Sequence, residues 1–235
     1  MNLSVYIGDQ MLSKKPEYLD FEKDAVRFMV LVGSTSTGKS IFHNNLYKQL
    51  SENNSPEEVG FIFLDMTRVD FTFWGSPYTL QIEVSAIGAI ELLEKMADEP
   101  QQRDKKIFIH IEECNMFANY TIRAEAAVTT LLNRRKDVII IYSTSRPSPN
   151  DAFRKELRDL ADVRVISHLP TQRDYKYVMS KHFKFKKQID KYFNEHFISW
   201  GRLVIIHDKM MALDYFCEEL AGTLKEFELG QSLSE

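Results

Sequence analysis

The chain has 235 residues, long enough to bury a full core, and reads as one domain over 1–235. Its composition, 44% hydrophobic and 27% charged, is that of a soluble globular protein, and a net charge of −4 gives no global basic signature, so any nucleic-acid contact must come from local patches. No apolar run approaches the length of a membrane span, no signal-peptide pattern opens the chain, and the two distant cysteines, Cys114 and Cys217, lack metal-ligand spacing; the expected compartment is reducing and cytoplasmic.

The first informative segment is Phe28-Met29-Val30-Leu31-Val32, an apolar run that predicts a buried parallel strand. It leads into Gly33-Ser34-Thr35-Ser36-Thr37-Gly38-Lys39-Ser40, which fits the phosphate-loop pattern G-x-x-x-x-G-K-[ST]. Residues 41–50 then read as a helix. Glycines let backbone N–H groups close around phosphate oxygens, and a helix N-terminus adds positive potential. The expected ATP contacts run from Gly33 through Ser40 to Ile41, with Lys39 reaching the β- and γ-phosphates and Ser40 ligating Mg²⁺. The plainer alternative is a Gly/Ser-rich turn that only caps a helix.

Further strands are predicted at 60–65, 106–112, 138–143, 163–167 and 203–207, and helices near 40–52, 85–98, 122–136, 172–196 and 211–226. Loops fall at 51–58, 99–104 and 147–151, where Pro, Asn and Ser cluster. A helical extension is expected over about 208–235. The alternation predicts an α/β fold with a mainly parallel central sheet flanked by helices. No repeat or low-complexity linker interrupts it.

The strand Ile107-Phe108-Ile109-His110-Ile111 ends in Glu112-Glu113. An anionic pair at the carboxyl edge of the sheet, beside bound phosphates, can hold Mg²⁺ through water (Glu112) and polarise an attacking water (Glu113). Glu112 stands where Asp is usual, so its carboxylate reaches about one C–C bond further. Two solvated acids at a strand end are the simpler alternative.

Four segments together resemble the FtsK/SpoIIIE branch of the FtsK–HerA ATPases. VLVGSTSTGKSIFHNN is similar to the family's phosphate-loop run, with Asn44 at its Asn. FIFLDMTRVDFTFWGSPYTL resembles the family's second segment at Asp65, Asp70, Trp74, Pro77 and Leu80. IFIHIEE matches its acid strand, and VIIIYSTSRPSPND its T-x-R-P-S element through Thr144, Arg146, Pro147 and Ser148. The match extends onward through Arg164 and Asp174 and covers most of the chain. Two departures stand out: Met66-Thr67 replaces Pro-Lys, and Ser145 replaces a Gln that in the family lies near the γ-phosphate.

The resemblance implies a P-loop NTPase fold (RecA/FtsK-like), a ring in which sites lie between subunits, and an arginine given by a neighbour to the transferring phosphoryl group. Arg134 falls at the family's position for it, with Arg135 the alternative; a solvated helix C-terminus over 132–136 is the plainer reading. DNA contacts are expected from loops at 117–123 and 148–155, the latter offering Asn150, Arg154 and Lys155. The basic and aromatic run 181–187 reads better as an amphipathic helix than as a DNA contact. His43, His110 and His168, without metal-ligand spacing, read as packing or surface residues. The cluster Phe71–Phe73–Trp74 reads as core or interface.

The expectation that follows is an ATP-driven double-stranded DNA translocase acting as a homo-oligomeric ring, expected to be a hexamer, with Lys39, Glu112, Glu113, Arg134 and Ser145 as its catalytic residues. Size alone inclines toward viral genome packaging, with a capsid or portal partner and a place on the virion; plasmid or mobile-element transfer, with a transfer-machinery partner, is the other setting. The alternative from another class is an ATP-binding docking protein that hydrolyses slowly and moves nothing. A small-molecule kinase fits the phosphate loop but not the Thr144–Ser148 element.

Overall fold

The structure, a computed structural model, describes residues 1–10, 13, 15–67, 76–102, 104–147, 155–169, 171–179, 202–206 and 210–214. Asp70, the cluster at 71–74, Ser148, Asn150, Arg154, the run 181–187, Cys217 and the helical stretches expected over 180–196 and 215–226 lie outside these residues.

In chain order the elements are β1 (Ser4–Gln10), β2 (Pro16–Asp20), β3 (Phe28–Val32), α1 (Lys39–Asn53), β4 (Val59–Asp65), β5 (Thr79–Glu83), α2 (Ala86–Asp98), β6 (Lys106–Glu112), a 3-10 helix (Cys114–Tyr120), α3 (Thr121–Arg134), β7 (Val138–Thr144), α4 (Lys155–Leu160), β8 (Val163–Ile166), α5 (Gln172–Met179), β9 (Arg202–Ile206) and β10 (Met210–Asp214). Among the described residues ten strands form one sheet, ordered β2-β1-β10-β9-β8-β3-β7-β6-β4-β5. The six from β8 to β5 are mutually parallel. Beyond β8 the sheet continues antiparallel through β9, β10, β1 and β2.

The parallel strands β3, β4, β6 and β7 are apolar along most of their length because both faces are covered. Alternate residues serve two cores. Phe61, Phe63, Phe108, Ile139 and Ile141 pack with Phe42, Leu46, Tyr47 and Leu50 of α1 and with the inward residues of the β1–β2 hairpin. Ile62, Leu64, Ile107, Ile109, Ile111 and Ile140 pack with α2, α3 and the α4–α5 region. A fully buried Phe or Leu contributes about 1.5–3 kcal/mol over its exposed state.

The helices are bounded by identifiable side chains. Asn54 ends α1, its amide donating to Leu50 O at 2.8 Å and to Asn2 O at 2.7 Å. Ser85 caps α2, accepting from Gly88 N–H at 3.1 Å. The α3–β7 connection is held by a buried pair: Arg135 Nε donates to Asp137 Oδ1 at 2.9 Å, Nη2 to Oδ2 at 2.6 Å, and Nη1 to Met96 O at 2.8 Å. The guanidinium thereby also satisfies a carbonyl near the end of α2.

Several elements differ from the sequence reading. Met210–Asp214 is a strand where a helix was expected near 211–226; a short apolar run suits either state, and pairing with β9 from Met210↔Ile206 to Asp214↔Arg202 decides it. The segment 117–123 is not a loop: it is the end of the 3-10 helix and the first turn of α3. The hairpin β1–β2, edge strand β5 and short helix α4 were not anticipated. β1 carries a bulge between Tyr6 and Gly8, where a φ of 127° requires glycine.

Asp137→Ala is expected to cost about 3–5 kcal/mol of stability, because it strands a buried guanidinium. Urea denaturation of the purified protein measures it, and a cost below 1 kcal/mol would refute this account of the pair.

Candidate active site

Parallel register brings the functional groups to one edge. Val32 pairs with Thr144 and Ile166, Ile111 with Tyr142, and Asp65 with Glu112. The phosphate-loop sequence, the Thr144 end of β7, the Glu112 end of β6 and Asp65 therefore stand side by side at the carboxyl ends of the strands, where ligands of open α/β sheets bind.

The loop itself is held from behind. Gly33 N–H donates to Thr144 O at 3.3 Å and Ser34 N–H to His168 O at 2.8 Å. A Cβ on Gly33 would stand 1.6 Å from Ser167 Oγ and 2.7 Å from Thr37 Oγ1, so a larger residue there must displace both hydroxyls. Thr37 Oγ1 donates to Ser34 O at 2.7 Å and lies 2.5 Å from Ser167 Oγ. Gly38, with φ 97°, turns the chain into α1, whose first residue is Lys39. Lys39 is 7% exposed, and its Nζ donates to Gly33 O at 2.9 Å and Ser34 O at 3.3 Å. No ion pair to Lys39 is present among the described residues. A buried cation folded onto its own loop at a helix N-terminus fits a polyphosphate, which would replace those carbonyls. Ser40 follows in the first turn of α1; its hydroxyl and the Glu112 carboxylate are hard oxygen donors of the kind that would suit Mg²⁺.

The two acids have different surroundings. Glu113 sits left-handed, at φ 48° and ψ 59°, a conformation uncommon for a non-glycine residue and frequent at functional sites. Its Oε2 accepts from Ser145 N–H at 3.0 Å and, with the Asn115 amide turned to donate, from Asn115 at 2.8 Å. Ser145, the residue at the family's Gln position, thus meets the acid through its backbone.

Glu112 is 2% exposed. Its Oε2 accepts from Ser143 Oγ and lies 2.8 Å from His110 Nε2 and 3.8 Å from His43 Nδ1. His110 Nδ1 lies 2.7 Å from Tyr47 Oη. The His43 and His110 rings meet edge to face at 4.6 Å. Burial opposes the Glu112 charge, but the His110 and Ser143 hydrogen bonds and the nearby imidazoles outweigh it and hold the carboxyl at about 2. Burial, then His110, push His43 down to about 3. Buried Tyr47 is pushed well above its ordinary value.

His43 and His110, read from the sequence as packing or surface residues, and Tyr47 and Ser143, which no motif singles out, gather around Glu112. The signal was split: His43 and Tyr47 lie four apart on one face of α1, and His110 and Glu112 two apart on one face of β6. Only packing of helix on sheet joins the pairs. The arginines also separate. Arg134 is exposed, its side chain 57% accessible and ion-paired with Asp98, whereas Arg135 is 2% exposed and bound to Asp137. That burial removes Arg135 as the alternative finger. Lys155 opens α4 on the chain leaving β7.

The model of the FtsK/SpoIIIE family matches residues 1–173. The chain belongs to the FtsK/SpoIIIE family. No curated protein matches it by sequence. Solved structures share its fold. The pCW3 conjugation coupling protein TcpA, as a monomer with ATPγS, superposes with a TM-score of 0.72 at 14% identity, over 96% of this chain and 70% of that one. The cytoplasmic domain of the type VII secretion ATPase EccC from Thermomonospora curvata gives 0.65 at 13% identity, over 92% of this chain and 26% of that one. The genome packaging NTPase B204 of Sulfolobus turreted icosahedral virus 2, with AMPPCP, gives 0.57 at 13% identity, over 81% and 98%. The mainly parallel sheet flanked by helices is thus the FtsK-type P-loop fold. No helix among the described residues is long and apolar enough to cross a membrane.

The buried cluster makes stability acid-sensitive. His43 is lowered to about 3, so below about pH 6.5 the unfolded chain takes a proton that the folded one refuses. Stability is full above pH 6.5 and falls by up to about 1.4 kcal/mol per pH unit below it; Glu112 adds its own loss below about pH 4.5. His43→Gln should remove about 2 kcal/mol of the loss between pH 6.5 and 4.5. Urea midpoints at the two pH values test this, and equal losses in variant and wild type refute it.

Proposed function

We propose that the protein is an ATP-hydrolysing motor that moves double-stranded DNA and works as a homo-oligomeric ring. The observation that carries this reading is the placement of Lys39 and Glu113 at one sheet edge, with Glu113 already held by Ser145 N–H. In it, the loop from Gly33 to Ile41 cradles the triphosphate, and Lys39 takes the β- and γ-phosphate charge. Ser40 and Glu112, the latter through water, would hold Mg²⁺, which would supply positive charge beside the phosphates. Glu113 orients the attacking water and accepts its proton. Ser145 anchors Glu113 through its backbone N–H.

Arg134 comes from an adjacent protomer. Its exposure supports this role: the ion pair with Asp98 is solvated and worth little, so a neighbour's phosphates compete for the guanidinium readily. DNA is met by the chain after β7, with Asn150, Arg154 and Lys155, through phosphate contacts that are independent of sequence. A hexamer, and genome packaging or mobile-element transfer as its setting, are supported by what the related structures are named for: genome packaging in the viral NTPase and conjugation in the coupling protein.

One observation favours a second reading. Glu112 is buried and its Oε2 is already engaged, as in a protein that binds ATP to assemble or dock and hydrolyses slowly.

A triplex-displacement assay separates the two. Under the motor reading, ATP drives displacement, and Lys39→Ala and Glu113→Gln each slow it by about 10²–10³-fold. Negligible hydrolysis that ignores DNA, with no displacement, supports docking instead. Arg134→Ala should keep ATP binding and lose steady-state hydrolysis; wild-type turnover by this variant removes Arg134 from the mechanism. Duplex affinity should fall steeply between about 50 and 200 mM salt.

A further inference from the structure

Glu112 has one more rotatable bond than the aspartate usual at its position. A carboxylate on that longer arm loses its aim unless something fixes it, and about 1 Å of misplacement can cost 10²-fold in rate. The protein surrounds it with donors drawn from three elements. Ser143 is the β7 residue beside Glu112, and its Oγ donates to Oε2. His110 shares the strand and the face of Glu112, with Nε2 at 2.8 Å from the same oxygen. Tyr47, one turn beyond His43 on α1, places Oη at 2.7 Å from the other nitrogen of His110. All three partners are buried.

The directions of the protons in this chain follow from the charge on Glu112 and the tautomer of His110. An ionised carboxylate only accepts, so His110 Nε2 must donate to it. With one ring proton, a donor at Nε2 leaves an acceptor at Nδ1, and Tyr47 Oη–H then donates there. No bond to Glu112 Oε1 is present among the described residues. One oxygen is thus pinned by two donors, and the other keeps its lone pairs.

We propose that Tyr47 and His110 are positioning residues for Glu112: the Tyr47 hydroxyl sets the His110 tautomer, and His110 with Ser143 locks Oε2 so that Oε1 serves the metal-bound water of the nucleotide site. The proposal rests on the reading of that site as one for Mg²⁺ and ATP. It assigns a role in nucleotide chemistry to two buried residues outside the phosphate loop. His43 packs edge-on against His110, with its Nδ1 3.8 Å from Glu112 Oε2.

The test is a titration of Mn²⁺ by electron paramagnetic resonance in the presence of ATP, with binding of a fluorescent ATP analogue in EDTA measured beside it. Tyr47→Phe deletes one oxygen and keeps the packing. It should weaken Mn²⁺ binding about 10-fold, leave metal-free nucleotide binding unchanged, and raise the Mg²⁺ needed for half-maximal hydrolysis. His110→Gln keeps a donor toward Glu112 and should stay nearer wild type than His110→Leu. In ¹⁵N-detected spectra the wild-type His110 ring should carry its proton on Nε2. Wild-type Mn²⁺ affinity in Tyr47→Phe, or a proton on Nδ1 of His110, overturns the positioning role even if His110→Leu fails to fold. A wild-type protein that binds no metal–nucleotide at all sinks the reading of the site, which is a different result.

Discussion

Side-by-side parallel strand ends are the constraint on which this protein depends. β8, β3, β7, β6 and β4 run in the same direction and in continuous register. Whatever follows each strand is therefore delivered to one edge: the glycine loop after β3, Thr144 and Ser145 at β7, Glu112 and Glu113 at β6, Asp65 at β4. Helices α1, α2 and α3 cover the two faces of these strands, which is why they are apolar on both faces and cannot slip without exposing one of them. The rigidity of the edge is a consequence of the two cores, not of the loop residues.

Two of the buried charged groups are handled in different ways. At the amino-terminal side, Arg135 and Asp137 neutralise one another and satisfy a helix carbonyl, a structural use that ties α2, α3 and β7 together. At the carboxyl edge, Glu112 has no arginine or lysine among its hydrogen-bond partners in the described residues. It is kept ionised by hydrogen bonds from a ring N–H and a hydroxyl, which stabilise the anion without cancelling it. An uncancelled carboxylate remains able to attract a cation.

The alternation of apolar strand and amphipathic helix made β3, β4, β6, β7, α1, α2 and α3 legible to within two residues, because long segments with one period leave no second choice. The failures share a cause. β10 is short, and a run of five mostly apolar residues fits a helix as well as a strand until an edge is available to pair with. β5 is a partly exposed edge strand without strong alternation. The hairpin β1–β2 precedes the recognised motif and gains its burial from α1, a contact that no local pattern announces.

What the sequence alone determined is the chemistry bound to a contiguous motif: the phosphate loop with its lysine, the acid pair, the strand–helix order and membership of a family. Those are local because backbone geometry and residue type at fixed spacing are enough to make them. Tertiary structure decided what depends on distance through space. It sent Arg135 into the interior and left Arg134 outside, since the turn between α3 and β7 faces one guanidinium toward Asp137. It also joined His43 and Tyr47 to His110, Glu112 and Ser143, because a helix face and two adjacent strands meet only once the sheet is built, and hydrogen bonds act over about 3 Å whatever the separation in sequence.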